Sequence, residues 1–279
     1  MDKLLLCTDL DRTLIPNGEP SESPEARPIF RRFVAQPWVS LAYVSGRDLG
    51  LVEQGIADYD LPLPDFVVAD VGASIYEKQG KGWQRWDSWD DRLAQDWEQK
   101  TSADLALLLT DICNCRLQEE EKQSLHKLSY YIELDIDSEA VIKQVKSRLS
   151  EKNIHANFIW SIDEAANIGL LDVLPKNANK YEAIAFLMAH QAFSEANTVF
   201  SGDSGNDRDV LISPLKSVLV ANANDSLKQQ IQATVEQSQS TDTFYLAKGD
   251  FLTMNGNYSA GILEGIAHYF PQAKIGLDN

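Results

Sequence analysis

Short runs of leucine and β-branched residues recur along the chain, and each run ends in polar residues or glycine. Their positions are residues 4–8, 41–44, 66–68, 198–200 and 217–220. Helix-like stretches separate these runs. Alternating strands and helices are typical of a parallel sheet that helices cover on both faces. The pattern therefore predicts an α/β fold with a Rossmann-like parallel-sheet core.

Residues 83–168 follow a different pattern. Their predicted elements are helices at 89–109 and 139–152, an alternating segment at 127–134 and a strand at 156–160. Because the parallel-sheet pattern resumes afterwards, we predict an α+β cap domain at 83–168, inserted into a discontinuous core of residues 1–82 and 169–279. Open parallel sheets bind ligands beyond the carboxyl ends of their strands, so the polar residues after each run are the candidates for chemistry.

Charge and hydropathy narrow the functional classes. The 279 residues are 44% hydrophobic and carry a formal net charge of -17. This charge would repel a polyanion, and no Lys/Arg cluster offsets it, so nucleic-acid binding is not expected. The chain has no run of about 18 apolar residues and no small-residue cleavage site, which predicts a cytoplasmic protein without a membrane partner. The cysteines Cys7, Cys113 and Cys115 lack metal-ligand spacing and are expected to be reduced thiols.

The first candidate motif follows the apolar run at residues 4–8. Asp9 and Asp11 are separated by one residue, so a persisting strand would direct both carboxylates the same way. Adjacent carboxylates repel unless a cation lies between them or one holds a proton, which suits a metal site or an acid and base pair. An acidic strand-to-loop turn in which Asp11 or Thr13 caps a helix explains the segment equally well.

Two further motifs offer groups that bind phosphate oxygens. Ser45, Gly46 and Arg47 close an apolar run with a hydroxyl and with a glycine that lets backbone N–H groups come close. Lys180 begins a helix-like stretch and offers the ammonium that a phosphoryl group beside carboxylates requires. Taken alone, these residues have ordinary structural explanations that are at least as good as phosphate binding. Ser45 would be a helix N-cap, and Arg47 and Lys180 would be surface charges.

The densest motif follows the run at residues 198–200. Asp203, Asn206 and Asp207 lie with two glycines in one short loop and supply oxygen ligands for a hard cation that keeps several waters. The loop is not a calcium-binding loop, because the twelve-position pattern with its closing glutamate is absent. A simple polar turn is the competing interpretation.

Together, the four motifs match in order and spacing those of the haloacid dehalogenase superfamily. They are Asp9-x-Asp11-x-Thr13, Ser45-Gly46-Arg47, Lys180 and Gly202-Asp203-x-x-Asn206-Asp207. The resemblance spans nearly the whole chain, and the insert resembles the large α/β cap of the sugar-phosphatase branch. Segments similar to those of the sucrose-phosphate phosphatase group lie at residues 70–76, 118–121, 126–131, 172–175 and 259–264. The chain also resembles mannosylfructose-phosphate phosphatases.

The resemblance implies a Mg²⁺-dependent phosphatase that works through an aspartyl-phosphate. Asp9 would be the nucleophile, and Asp11 would protonate the departing sugar oxygen and then activate water. Mg²⁺ would bind the Asp9 carboxylate, the Asp11 backbone carbonyl and Asp203, with Asp207 as a ligand or outer partner. The implied substrate-binding residues are Thr13, Ser45, Gly46, Arg47, Lys180 and Asn206. Arg47 alternatively braces its loop, and Asn206 alternatively orients Asp203.

Lys127 is the candidate sugar-binding residue in the cap, with Glu119 or Glu120 beside it, since a hydroxyl-rich ligand needs fixed donors and acceptors. A solvated strand lysine and an ordinary acidic helix end are the competing explanations. The predicted substrate is sucrose-6-phosphate. Mannosylfructose-phosphate, glucosylglycerol phosphate and glycosylglycerate phosphate are the alternatives.

Two other functional classes fit the same motifs. A sugar phosphomutase shares the Asp-x-Asp chemistry but returns the phosphoryl group to sugar. Outside enzymes, the chain would be a non-catalytic sugar-phosphate binding partner of a glycosyltransferase. We expect a monomer whose small-molecule partner is a sugar phosphate and whose protein partner, if it has one, is the glycosyltransferase that makes this substrate.

Overall fold

The computed structural model of the protein describes residues 3–112, 114–163, 166–273 and 275. The chain divides into two compact units, Met1–Gln84 with Lys180–Asn279, and Arg85–Asn179. Cys7 and Cys115 are free cysteines, whereas Cys113 lies outside the described residues. None of the helices within these described residues combines the length and the apolarity needed to cross a membrane.

The strands and helices alternate through most of the chain. The strands are β1 (Leu4–Thr8), β2 (Val39–Val44), β3 (Phe66–Ala69), β4 (Ser74–Gln79), β5 (Gly82–Arg85), β6 (Arg116–Leu117), β7 (Leu128–Ile132), β8 (Ala156–Asp163), β9 (Ile168–Pro175), β10 (Thr198–Gly202), β11 (Lys216–Leu219) and β12 (Phe244–Leu246). The helices are α1 (Ala26–Val34), α2 (Leu49–Asp58), α3 (Asp87–Ala94), α4 (Ser102–Leu108), α5 (Ser138–Ser150), α6 (Lys180–His190), α7 (Arg208–Leu211), α8 (Asp225–Ser238) and α9 (Ser259–Tyr269).

An eight-stranded sheet forms the core of the first unit, in the order β12-β11-β10-β1-β2-β3-β4-β5. The six strands from β12 to β3 pair in parallel, and β4 pairs antiparallel with β3. This arrangement confirms the predicted α/β fold with a mostly parallel central sheet. Strand β1 lies between β10 and β2, and Thr8 pairs with both Ser201 and Tyr43. The carboxyl ends of these three strands therefore meet at one edge.

Burial explains why β1 is apolar up to its last residue, Thr8. All five of its residues are buried, and Leu4 and Leu6 pack in one hydrophobic cluster with Phe30 of α1 and Ile262 of α9. Each fully buried leucine stabilises the fold by roughly 1.5–3 kcal/mol relative to an exposed one. A strand that is covered on both faces needs an uninterrupted apolar run, which is the pattern that predicted it.

The second unit contains a four-stranded antiparallel sheet in the order β6-β7-β9-β8. Leu128 and Leu171 of this sheet pack with Val145 of α5 in a separate hydrophobic cluster. The predicted boundary at residue 168 is earlier than the observed end of this unit at Asn179. The reason is β9, which pairs along its length with both β7 and β8 and so belongs to this sheet, not to the core.

The predicted helix at residues 89–109 is two helices in the structure, α3 and α4. Glu98 and Gln99 between them have φ angles of 52° and 61°, in the left-handed region that interrupts a right-handed helix. Thr101 then starts α4, because its hydroxyl accepts a hydrogen bond from the backbone N–H of Asp104 while the Asp104 carboxylate accepts one from the Thr101 backbone. Hydrophobic periodicity alone does not detect this break.

Candidate active site

Strand order brings three of the predicted motifs to one edge of the core sheet. Asp9 follows β1, Ser45 follows β2 and Asp203 follows β10, and these strands are neighbours. The Asp9 backbone N–H donates a hydrogen bond of 2.9 Å to the Ser201 carbonyl, so the chain leaving β1 stays attached to β10. The carboxyl edge of a parallel sheet is where such folds bind ligands.

Three buried carboxylates converge at this edge. One oxygen from each of Asp9, Asp203 and Asp207 lies within 4.8 Å of the others. Their exposed fractions are 4%, 4% and 0%. Carboxylate oxygens at this spacing suit a hard divalent cation. Among the residues that the structure describes, this acidic triad is therefore the group that we assign to a metal.

Lys180 is the buried cation of the site. Its Nζ lies 3.1 Å from Asp9 Oδ1 and 2.6 Å from Asp207 Oδ1, and its side chain is fully buried. Burial lowers the pKa of the Lys180 ammonium, but the charges of Asp207 and Asp9 raise it more, so the pKa lies above its ordinary value. Lys180 therefore remains charged and compensates part of the negative charge of the triad.

The remaining negative charge calls for a second cation. Burial raises the pKa of Asp9 to about 8, although the Lys180 charge opposes this shift. Burial and the charge of Asp207 raise the pKa of Asp203 to about 6. Buried carboxylates with such pKa values are only partly compensated by their neighbours. A divalent ion held by Asp9 and Asp203 fits this donor set, because it would supply the missing positive charge.

Asp207 is fixed chiefly by protein hydrogen bonds. Its Oδ2 accepts from the backbone N–H groups of Asp203 and Ser204, at 2.9 Å each, while Oδ1 accepts from Lys180 at 2.6 Å. Gly202 makes the close packing feasible, since a Cβ there would lie 2.5 Å from the Asp207 Cγ. These contacts fix the Asp207 carboxylate against its own loop. Its predicted role, as a metal ligand or as an outer partner of the site, remains a prediction.

Thr13 and Arg12 contact Asp203. The Thr13 hydroxyl is buried and donates a 2.9 Å hydrogen bond to Asp203 Oδ1, and Arg12 Nε lies 3.6 Å from Asp203 Oδ2. Thr13 thus lies in the same site as the triad. Its predicted contact with a phosphoryl oxygen remains a prediction.

The Asp11 carboxylate is not part of the acidic triad and pairs instead with Arg47. Arg47 Nε donates to Asp11 Oδ2 at 2.7 Å and Nη2 donates to Oδ1 at 2.6 Å, a bidentate pair. Burial raises the pKa of Asp11, but the hydrogen bond and charge of Arg47 lower it more, so the pKa lies below its ordinary value. The Asp11 carboxylate is 40% exposed, unlike the triad. The Arg47 guanidinium is therefore paired with Asp11, and whether Arg47 binds the substrate or braces its loop remains a prediction.

The second and fourth motifs meet through Gly46 and Asn206. A Cβ on Gly46 would lie 3.8 Å from Asn206 Nδ2, which is ordinary van der Waals distance. Ser45 is buried, and its Oγ accepts a 3.2 Å hydrogen bond from the Arg47 backbone N–H. Asn206 is exposed and accepts a hydrogen bond from Ser204 Oγ at 3.0 Å. All the predicted core residues thus lie at the same edge.

Lys127 lies in the second unit, beside β7. Its Nζ is 4.0 Å from Asp172 Oδ2, and the same carboxylate accepts a 2.6 Å hydrogen bond from Ser129 Oγ. Glu119 accepts a 2.7 Å hydrogen bond from the Tyr131 hydroxyl. Both candidates therefore lie among polar side chains with defined partners. Their contact with a sugar remains a prediction.

Asn222 and Asn17 are residues that sequence reasoning missed. Asn222 Nδ2 donates to the Arg12 carbonyl at 2.6 Å, and its Oδ1 accepts from the Tyr258 backbone at 2.9 Å. It follows β11 at the same carboxyl edge, so the rule that located Asp203 also points to Asn222. Asn17 donates to Asp11 Oδ1 at 2.7 Å. Asn17 lies in a loop, and no periodicity or motif marks it.

Comparison with known proteins assigns the fold and the family. Residues 2–270 match the sucrose-6F-phosphate phosphohydrolase family. The chain belongs to this family. It is therefore a phosphatase of the haloacid dehalogenase type that acts on a sugar phosphate, as the four motifs predicted.

Several relatives extend this assignment. A haloacid dehalogenase-like hydrolase from Nitrosococcus oceani is 49% identical over 99% of this chain and 74% of its own length. Mannosylfructose-phosphate phosphatase from Agrobacterium fabrum is 26% identical over 95% of this chain and 96% of its own. Sucrose-phosphatase 1 from Nicotiana tabacum is 26% identical over 96% of this chain, which spans only 59% of that protein.

A solved structure is similar over the same extent. The sucrose-phosphatase from Synechocystis sp., in complex with sucrose and phosphate, aligns with a TM-score of 0.72 and 26% identity, covering 96% of this chain and 98% of that chain. A haloacid dehalogenase-like protein from Bacillus subtilis shares the fold at a TM-score of 0.67 and 15% identity. The likeness confirms the predicted fold class.

Proposed function

We propose that this protein is a Mg²⁺-dependent phosphatase of disaccharide phosphates, with sucrose-6-phosphate as its first candidate substrate. The observation that carries the proposal is the buried carboxylate of Asp9, 3.1 Å from the Lys180 ammonium and within 4.8 Å of Asp203 and Asp207. A carboxylate beside a fixed ammonium and a cation site is suited to attack a phosphorus atom whose oxygens need positive charge.

Hydrolysis would proceed in two displacements. In the first, an Asp9 carboxylate oxygen forms a bond to phosphorus while the bond from phosphorus to the sugar oxygen breaks. Arg47 keeps the pKa of Asp11 low, so Asp11 must take up a proton before this step, and it then gives that proton to the sugar oxygen. In the second, Asp11 takes a proton from water, whose oxygen displaces Asp9 from phosphorus and releases inorganic phosphate. Bound Mg²⁺ would neutralise phosphoryl charge in both displacements. Lys180, whose ammonium lies beside the Asp9 carboxylate, would hold a phosphoryl oxygen.

The remaining core residues orient the phosphoryl group. Thr13, Ser45 and Gly46 bring hydroxyl and backbone N–H donors to the same edge of the sheet as Asp9. Such donors stabilise the charge that develops on the phosphoryl oxygens. Lys127 and its carboxylate neighbour Asp172 are the proposed donors and acceptors for sugar hydroxyls.

Two relatives favour alternative substrates. The Agrobacterium fabrum protein that matches this chain over nearly its full length is a mannosylfructose-phosphate phosphatase. A glucosylglycerol-phosphate synthase from Pseudomonas anguilliseptica is 26% identical over 98% of this chain, which corresponds to 32% of that protein. These matches support mannosylfructose-phosphate and glucosylglycerol phosphate as the next candidates, with glycosylglycerate phosphate after them.

The substrate test is phosphate release by the purified protein from each of these sugar phosphates and from hexose phosphates, with Mg²⁺ or with EDTA. We expect a strong preference for one disaccharide phosphate, loss of activity in EDTA, and loss in Asp9→Asn. Interconversion of sugar-phosphate isomers without phosphate release would establish a mutase instead. Binding without either reaction would establish the non-catalytic alternative.

We further propose that the enzyme is a cytoplasmic monomer that receives its substrate from a glycosyltransferase. The free thiols of Cys7 and Cys115 and the strong negative charge support this setting. Light scattering of the purified protein would measure its mass. Co-purification with the synthase of the preferred sugar phosphate would test the partner, with an unrelated glycosyltransferase as the control.

A further inference from the structure

The carboxylate of Asp11 is held by three hydrogen bonds. Oδ1 accepts from Arg47 Nη2 at 2.6 Å and from Asn17 Nδ2 at 2.7 Å, while Oδ2 accepts from Arg47 Nε at 2.7 Å. A carboxylate oxygen has two lone pairs, so these donors occupy both pairs of Oδ1 and one pair of Oδ2. Among the residues that the structure describes, the second lone pair of Oδ2 accepts no hydrogen bond, so it is the position open to proton exchange.

Asn17 is itself fixed at both ends of its amide. Its Oδ1 accepts from the Arg12 backbone N–H at 2.8 Å, so its Nδ2 must be the end that donates to Asp11. Arg12 has a φ of 58°, in the left-handed region, and its carbonyl accepts a 2.6 Å hydrogen bond from Asn222. Both backbone polar groups of Arg12, the residue after Asp11, are thus hydrogen-bonded, and Asn17 connects the Arg12 backbone N–H to the Asp11 carboxylate.

Gly55 leaves the space in which Arg47 lies. It belongs to α2, whose Leu51 carbonyl accepts a 3.0 Å hydrogen bond from Arg47 Nη1. A Cβ on Gly55 would lie 2.8 Å from this Nη1, closer than real contacts allow. Glycine is among the poorest helix formers, so its place here is not explained by helix stability. It is explained mainly by the guanidinium that packs against the helix, with Ile15 Cδ1 also 3.3 Å from the position of a Cβ.

We propose that Asn17 and Gly55 are positioning residues for proton transfer at Asp11. Asn17 does so through its hydrogen bond to Oδ1, and Gly55 does so by giving Arg47 the room to grip both carboxylate oxygens. Arg47 then acts through Asp11, not as a phosphate ligand. This inference rests on the proposed function, in which Asp11 is the acid and base. It adds two residues that neither the motifs nor the family match assigns.

The test compares two phosphate esters that differ in their need for a proton. A sugar phosphate releases an alkoxide, which must be protonated as it leaves, whereas p-nitrophenyl phosphate releases a phenolate that departs without a proton. Single-turnover mixing measures the first displacement for both esters. Misplacing a general acid lowers the rate of the step that needs it, while the attack by Asp9 is unaffected.

Gly55→Ala is the decisive variant, and Gly50→Ala is its matched control. Both glycines lie in α2, but a Cβ on Gly50 would meet its nearest atom, Asp48 Oδ1, at an ordinary 3.4 Å. We expect Gly55→Ala to lower the rate with the sugar phosphate by about tenfold or more relative to p-nitrophenyl phosphate. Gly50→Ala should leave this ratio unchanged. Asn17→Ala, which does not alter the helix, should lower the ratio in the same direction.

An equal loss of rate with both esters in Gly55→Ala and Asn17→Ala would overturn the inference, because it would indicate general damage to the fold. An unchanged ratio in both variants would overturn it as well. The proposed function is judged separately, by wild-type phosphate release from the sugar-phosphate panel. Because the inference concerns only the ratio between an alkyl and an aryl phosphate, it is tested equally if the preferred sugar differs from sucrose.

Discussion

Removal of the metal should make the stability of this protein depend on pH between about pH 6 and 8. The groups responsible are Asp9, whose pKa is raised by burial to about 8, and Asp203, whose pKa is raised by burial to about 6. In an unfolded chain both would have a pKa near 3.8. The metal-free folded protein therefore binds protons that the unfolded chain has already released.

The sign and size follow from this difference. A carboxyl whose pKa is raised by folding destabilises the folded state as pH rises above the unfolded pKa, and the penalty is complete above the folded pKa. Between about pH 6 and 8, Asp9 keeps a proton in the folded protein that it has lost in the unfolded chain. The free energy of unfolding should therefore fall by about 1.4 kcal/mol per pH unit. Bound Mg²⁺ needs ionised carboxylates, so it should remove this slope.

Urea unfolding monitored by circular dichroism measures the effect, in EDTA and in excess MgCl₂, at several pH values across this interval. Asp9→Asn is the control, because it removes the titrating group while preserving its shape, and it should flatten the slope in EDTA. Any pH dependence that arises from other groups would persist in this variant and is thereby subtracted. If the EDTA slope of the wild type were flat, or equal to that of Asp9→Asn, the assignment of a buried protonated Asp9 would be refuted.

Three substitutions test the packing inside each of the two units. Lys180→Met removes a buried cation that pairs with the buried Asp207 carboxylate, so we expect roughly 3–5 kcal/mol less stability in EDTA at neutral pH, and a loss below about 1 kcal/mol would contradict this buried ion pair. Gly202→Ala places a Cβ 2.5 Å from the Asp207 Cγ. It should cost roughly 1–3 kcal/mol and weaken Mg²⁺ binding in calorimetry, whereas unchanged metal affinity would contradict the assigned loop geometry. Gly169→Ala would overlap the indole ring of Trp160, so tryptophan fluorescence should report a less stable second unit, and an unaltered unfolding curve would rule out this packing.

The reactive core motifs were predictable from the sequence because each lies within a few residues of an apolar run. Asp9 and Asp203 follow buried strands, and the strand-and-loop pattern is local, so it could be identified without knowing the fold. Their meeting at one edge also followed from the parallel topology that alternating strands and helices impose. The family match confirmed what these spacings indicated.

The end of the second unit could not be predicted in the same way. Strand β9 is apolar enough to resemble a strand of the eight-stranded sheet. Its sequence alone therefore does not predict which of the two sheets it joins. Its pairing with β7 and β8 decides the question, and that pairing joins residues that are distant in sequence, such as Leu128 and Val173. The break between α3 and α4 likewise depends on two left-handed residues, Glu98 and Gln99, which hydrophobic periodicity does not register.

The sequence by itself thus determined the alternation of strands and helices, the order of the motifs and the chemical groups at the site, because these depend on neighbouring residues. Only the tertiary structure decided the partners of those groups. Arg47 grips Asp11, and Lys180 lies between Asp9 and Asp207, because strand order and helix packing bring together side chains that the chain separates. Burial raises the pKa values of Asp9 and Asp203 and arises from the same packing, so no single motif predicts these pKa values.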